Sequence, residues 1–222
     1  FIPAASLIIA PDQQIYQAAA MILNVFVSGT ATLAHHRAGA IDFRLVRRVV
    51  PAAVLFVLLG VGASNQLDAT ILERLFGGLL LLLAATETFR IWRNGKLRRE
   101  ATKRNSTSAE GDAGEPRTSL PILAGIGGVM GFLGGLLGIG GGTIAVPGLR
   151  FAARLPLRNS IAIAAAVTIP MAMIGAIYKN LTLSELSGPD GASLSATQSI
   201  GIALAIVSTA ILGSWIGARL VH

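Results

Sequence analysis

The sequence predicts an all-α membrane protein built from two related helical halves. Three observations lead there: long uncharged apolar tracts, one polar stretch dividing them, and a faint internal repeat across that divide. Of 222 residues, 53% are hydrophobic and 13% charged; a soluble domain carries roughly 25% charged residues. Too little polar side chain is present to wet a whole surface, so much of it must face lipid.

The uncharged tracts are Gln13–Ala34, Val49–Leu67, Thr118–Leu149, Asn159–Tyr178 and Gly191–Ala218. Several reach the ~20 apolar residues that a helix needs to cross a bilayer. A sixth, Leu75–Thr86, becomes a span once Glu73, Arg74 and Glu87 sit at its ends. Asn94–Arg117, "NGKLRREATKRNSTSAEGDAGEPR", is rich in Lys, Arg, Ser, Gly and Glu and reads as a solvated linker. The expected division is a first transmembrane repeat over 1–93, a linker over 94–118 and a second repeat over 119–222.

The halves can be laid on each other. At an offset of 144, Pro3 falls on Pro147, Ala18 on Ala162, Ala20 on Ala164 and Asn24 on Thr168. Gly62 and Ala63 match Gly217 and Ala218 at an offset of 155, the extra residues falling in the polar loop Leu181–Ser199. Duplicated halves are a common architecture of secondary transporters.

Charge chooses between parallel and inverted halves. If the Gly-rich tract is a re-entrant hairpin, segments Ala34–Arg48, Arg90–Arg117 and Arg150–Arg158 share one side with net charges of +3, +4 and +3. Ile2–Asp12, Asn65–Arg74 and Lys179–Asp190 share the other, each with −1. Cytoplasmic loops carry the excess of Lys and Arg, so inverted repeats with a cytoplasmic 94–118 linker fit best. A hairpin at membrane depth must be buried in protein or line a wet cavity. The net charge of +7 is explained the same way, without nucleic acid.

Gly134–Pro147, "GGLLGIGGGTIAVP", holds six glycines in fourteen positions. A dinucleotide loop needs a preceding β-branched strand and an acidic residue about 20 positions on, and neither is present. Gly127, Gly131 and Gly135, with Gly134, Gly138 and Gly142, form two small-xxx-small ladders of the kind that bring membrane helices close. In "GIGGGTIAVP" the glycines Gly140, Gly141 and Gly142, with Thr143, read as a break between two helical segments. Backbone nests and helix N-termini bind oxyanions without a counter-charge, and broken helices are where transporters hold substrate.

Asn24 and Thr168 occupy matching positions inside apolar spans, where polar groups need partners. Both are candidates to hydrogen-bond an anion or a neighbouring helix, and Ser28 joins them if the helix is suitably rotated. Pro170 frees backbone carbonyls beside Thr168. His35, His36 and Arg37 end the first span, as an anion-attracting basic cluster or as ordinary cytoplasmic charge. Lys179 follows the Asn159–Tyr178 span, snorkelling or assisting anion exit. Adjacent histidines on a helix point about 100° apart, so they make poor joint metal ligands. With no cysteine in the chain, disulfides and thiolate metal sites are excluded. No catalytic constellation is visible, so an enzyme is not expected, nor is a cofactor.

The stretches "GFLGGLLGIGGGTIAVPGL" and "LPLRNSIAIAAAVTIPMAMIGAI" resemble the second-repeat signature of the TauE/SafE family, and "SGTATLAHHRAGAIDFRLVRRVVP" resembles its first-repeat segment. The family comprises membrane proteins associated with export of sulfite and transport of sulfonates. The resemblance implies a multi-pass inner-membrane transporter of small sulfur-containing anions, working by alternating access around a midplane site, with lipid around it and room for a homodimer. It also implies a glycine-rich signature before the first "VP" and a helix after "GARL", so each end reads as clipped by about one helix. The opening residues carry no basic n-region of a signal peptide. Two rivals stand beside this reading: a transporter of a different ion, and a non-transporting receptor or scaffold of the same fold.

Overall fold

The computed structural model describes residues 13–102, 118–186 and 194–220. They form helices α1 (Gln13–Arg37), α2 (Phe43–Asn65), α3 (Ala69–Thr102), α4 (Leu120–Leu137), α5 (Gly142–Phe151), α6 (Leu157–Thr182) and α7 (Ala196–Leu220). A short 3₁₀ turn, Leu183–Glu185, follows α6. There is no strand among the described residues. Six helices contain apolar stretches long enough to cross a membrane. The exception is α5, whose ten residues cover ~15 Å, half the hydrocarbon core.

Local chemistry fixes the helix ends. Gly39 turns the chain after α1 with φ of 66°. Asp42 then caps α2, its carboxylate accepting from the Arg44 and Leu45 amides at 2.9 and 3.4 Å, which satisfies two of the amides left free at a helix start. At the head of α4, Pro121 occupies the first turn, where its missing N–H costs nothing. α3 does not stop at the polar stretch but runs on to Thr102. Residues 96–101, "KLRREA", are strong helix formers, so the helix outlasts the change from apolar to charged sequence. The rest of the linker, 103–117, lies outside the described residues.

The core seam joins α2 to α4. A Cβ placed on Gly127, Gly131 or Gly135 would stand 2.6, 2.3 and 2.4 Å from the carbonyl oxygens of Val49, Ala53 and Val57. Gly60 answers from α2, where a Cβ would come within 2.2 Å of the Phe132 carbonyl. The two backbones therefore touch, in parallel, as small residues allow in lipid. The second expected ladder does not form: Gly134 packs on the Gly141 amide, Gly138 on Gln17, and nothing lies within 4 Å of a Cβ on Gly142. The ladder is cut by the helix break that contains it.

Beyond the break, α5 folds back along α4. Gly141 sits over the Met130 carbonyl and Gly148 over Ile126, so the α4–α5 pair enters and leaves by the same end. At that end Arg48 donates to the Thr118 carbonyl at 3.2 Å and Arg158 to the Ala38 carbonyl at 2.7 Å. Arg37, Arg44, Arg47, Arg48, Arg150, Arg154 and Arg158 are all exposed there.

α1 and α6 run antiparallel through the centre. Lys179 meets Gln14 at one end, and Arg158 reaches Ala38, just past α1, at the other. α7 lies along α1, held by Thr30 donating to Ser214 at 2.9 Å and Ser214 to the Val27 carbonyl at 2.7 Å. Apolar side chains including Met21, Val49, Val57, Leu123, Met130, Val167 and Met171 fill the middle. The spans of α3 and α7 turn leucines outward, such as Leu81, Leu82, Leu204 and Leu212, as lipid-facing helices do.

Candidate functional site at the glycine break

The break occupies Gly138 to Gly141. Gly138, Gly140 and Gly141 have φ of 71°, 75° and 66°, a left-handed region costly to any residue with a Cβ. Space forbids a side chain as well. A Cβ on Gly138 would lie 2.6 Å from the Gln17 side chain, on Gly140 2.7 Å from Asn24, and on Gly141 2.9 Å from the Met130 carbonyl. Gly142, the first residue of α5, differs: its φ is ordinary and its surroundings are open.

Three side chains from two helices, α1 and α6, donate to carbonyls at and just before the break. Gln17 donates through Nε2 to the carbonyls of Gly135, at 3.1 Å, and Leu136. Asn24 donates to the Gly138 carbonyl at 3.3 Å. Thr168 donates its hydroxyl between the carbonyls of Gly140, at 3.0 Å, and Ala164 on its own helix. Among backbone donors, Gly138 closes onto Gly134 and Gly142 onto Gly140. The amides of Ile139, Gly140, Gly141 and Thr143 meet no backbone acceptor among the described residues. The carbonyls of Gly138, Gly140 and Gly141 are thus occupied, while four amides at the break are left over. That balance, at the head of α5, is electropositive without any charged side chain.

The structure brings Asn24, Thr168, Gly140 and Gly141 together, with Gly142 and the exposed Thr143 at the rim. Thr168 spends its proton on carbonyls rather than presenting it to a ligand. Ser28, one turn beyond Asn24 toward the arginine-rich end, is buried. His35 is buried near that same end, while His36 and Arg37 are exposed; His36 stands edge-on to Phe43, ring centres 5.4 Å apart. Among the described residues no group of three His, Cys, Asp or Glu is placed to hold a metal.

Lys179 lies far from the glycines and is not snorkelling. It is fully buried at the end opposite the arginines. Its ammonium donates to Gln14 Oε1, to Ser64 Oγ at 3.0 Å and to Asn65 Oδ1 at 2.6 Å. Ser64 in turn donates to Gln17 Oε1 at 2.7 Å, and Asn65 to Thr182 at 2.8 Å. Sequence reasoning missed Gln14, Gln17, Ser64 and Asn65. A signal existed for the first two: Gln14, Gln17, Met21, Asn24, Ser28, Ala31 and His35 follow a three-four spacing, one line along the helix. Five of those seven positions are polar within an apolar span.

The whole chain, residues 1–222, matches the family model described as sulfite exporter TauE/SafE. A relative is the probable membrane transporter protein MamO of Paramagnetospirillum magneticum, 25% identical over 90% of this chain. The alignment takes in 33% of that protein, so the chain spans about a third of its length. No solved structure matches. A broken-helix core inside a multi-pass bundle and a family match from the first residue to the last agree: the chain belongs to the TauE/SafE family of membrane transporters.

Proposed function

We propose that the protein carries small sulfur-containing anions, such as sulfite or an organosulfonate, across the inner membrane, holding each at the glycine break. One observation carries this reading: Gln17, Asn24 and Thr168 donate to carbonyls just before and within the break, while the amides of Ile139, Gly140, Gly141 and Thr143 are left without backbone acceptors among the described residues. A site made of such dipoles accepts an oxyanion and releases it readily, because no fixed cation holds it. Asn24 keeps a second amide proton for the ligand. Thr168 shapes the site by holding the Gly140 carbonyl away.

Access to that site is proposed to alternate between the two ends. Matching helices support inverted halves: at the offset of 144, α1 falls on α6, with Asn24 on Thr168, yet these helices run antiparallel. By the positive-inside rule the seven-arginine end is cytoplasmic. There the arginines, with His35 and His36 near the same end, raise the local concentration of anions. Ser28 lies on the way from the break to that end, and Thr32, a turn further, has a buried hydroxyl oxygen without a partner among the described residues. Export is the direction that the family's description favours.

The test is flux. Proteoliposomes holding the full-length protein should move labelled sulfite faster than empty ones, with competition from taurine or sulfoacetate ordering the cargoes. Flux of chloride or a metal ion without flux of sulfur anions overturns the cargo. Absence of all flux favours a receptor or scaffold, since fold alone does not fix function.

A further inference from the structure

We propose that the polar cluster around Lys179 is a gate at the end opposite the arginines, and that Gln17 is the positioning residue that ties its closure to the shape of the glycine break. The inference rests on the break being the anion site and adds how that site is shut on one side.

The cluster joins three helices at one depth. Gln14 comes from α1, Ser64 and Asn65 from α2, Lys179 from α6, and no solvent reaches Lys179 or Ser64. Gln14 also donates to the carbonyls of Ser64 and Leu67 at 3.1 and 3.2 Å, tying α1 to the end of α2. An ammonium at this place is costly to bury unless its hydrogen bonds are made. All of these bonds are to side-chain or backbone oxygens that water can replace, so the cluster has an open alternative in which Lys179 and the amides are hydrated. A cluster of leucines would seal equally well but would have no such alternative.

Gln17 is the link. Its Oε1 accepts from Ser64, which itself accepts from Lys179, and its Nε2 donates to the last carbonyls of α4. Three successive hydrogen bonds therefore run from the gate ammonium to the residues just before Gly138. The Gln17 stem also packs on Gly138, where an added Cβ would be 2.6 Å away. Both ends of the amide are satisfied only when gate and break are in place together. Parting α6 from α1 and α2 removes the Ser64 end and loosens the cap on α4. Remodelling of the break around an anion pulls on the carbonyl end. Each site thereby biases the other, as coupling through one shared two-state element requires.

The chain has no cysteine, so one reporter thiol is unambiguous. Met21 is buried on the same line of α1, between Gln17 and Asn24. In full-length protein carrying Met21→Cys, reconstituted in vesicles, a membrane-impermeant thiosulfonate applied from the Lys179 side should label slowly. Adding Gln17→Met, which keeps the bulk and removes the amide, should speed labelling about tenfold or more, the scale expected when a pair of buried hydrogen bonds is lost. Ser64→Ala, a smaller change that breaks the same link, should do so too. Unchanged labelling in both variants, with monodisperse protein, overturns the proposal, as does rapid labelling of the parent. No anion is needed for this comparison. Failure of sulfite to bind would remove the anion site and leave the gate result standing; unaltered labelling would remove the gate with sulfite binding intact.

Discussion

Asn24 and Thr168 reach the same four-residue break from helices that run in opposite directions. One donates to the Gly138 carbonyl at 3.3 Å, the other to the Gly140 carbonyl at 3.0 Å. Each lies near the middle of its helix, Gln13–Arg37 or Leu157–Thr182. Two positions that an offset of 144 lays on each other thus both donate to carbonyls of one broken helix.

Removing one cap should be felt in stability and in binding. Thr168→Val keeps the shape but leaves the Gly140 carbonyl only the Gly142 amide, and a lost hydrogen bond of this kind costs about 0.5–1.5 kcal/mol. Thermal unfolding in detergent should show that loss, with Thr168→Ser restoring most of it. Equal melting of the valine and serine variants would show that the hydroxyl caps nothing.

The glycines of "GIGGG" should not behave alike. Gly141→Ala must adopt φ of 66° beside the Met130 carbonyl, a strain of about 1–2 kcal/mol before any clash. Gly142→Ala has ordinary helical φ and open space, and should be neutral or slightly stabilising. A series of the two by thermal shift checks the contrast.

Along the α2–α4 seam, Gly131→Ala should cost more than its single methyl suggests. Its Cβ would stand 2.3 Å from the Ala53 carbonyl, so two backbones must part, and overpacking of this kind costs about 1–3 kcal/mol. Gly125→Ala and Gly77→Ala, with nothing within 4 Å, serve as controls and should lose little. Measured melting temperatures decide it.

Orientation can be read with single cysteines in the cysteine-free chain. Arg37→Cys and Glu185→Cys lie at opposite ends of the bundle. In intact cells an impermeant reagent should label position 185 and spare position 37, if the arginine-rich end is cytoplasmic. The reverse pattern would invert the topology.

Most of the fold was legible because lipid imposes it. Uncharged length marks the spans, and the arginines at 37, 44, 47, 48, 150, 154 and 158 mark one end of the bundle, where the structure gathers them. The Gly127–Gly131–Gly135 ladder was legible for the same reason, since only small residues let backbones touch. The second ladder misled because spacing alone does not reveal that Gly138 ends a helix, with φ of 71° and Gln17 packed against it. Lys179 misled too. Beside a loop a lysine reads as snorkelling, and only tertiary contact brings Gln14, Ser64 and Asn65 around it. The polar line of α1 was present in the sequence, diluted by its alanines.

The central claim is that the free amides of the break hold the anion, and binding tests it most directly. Sulfite titrated into purified full-length protein should raise its thermal stability, sulfate, taurine, sulfoacetate and chloride serving as comparisons. The account predicts a saturable shift for a sulfur anion that is lost in Gly141→Leu while that variant still elutes as a folded, monodisperse species. Equal shifts in wild type and variant would contradict it, and the glycines would then be packing and nothing more.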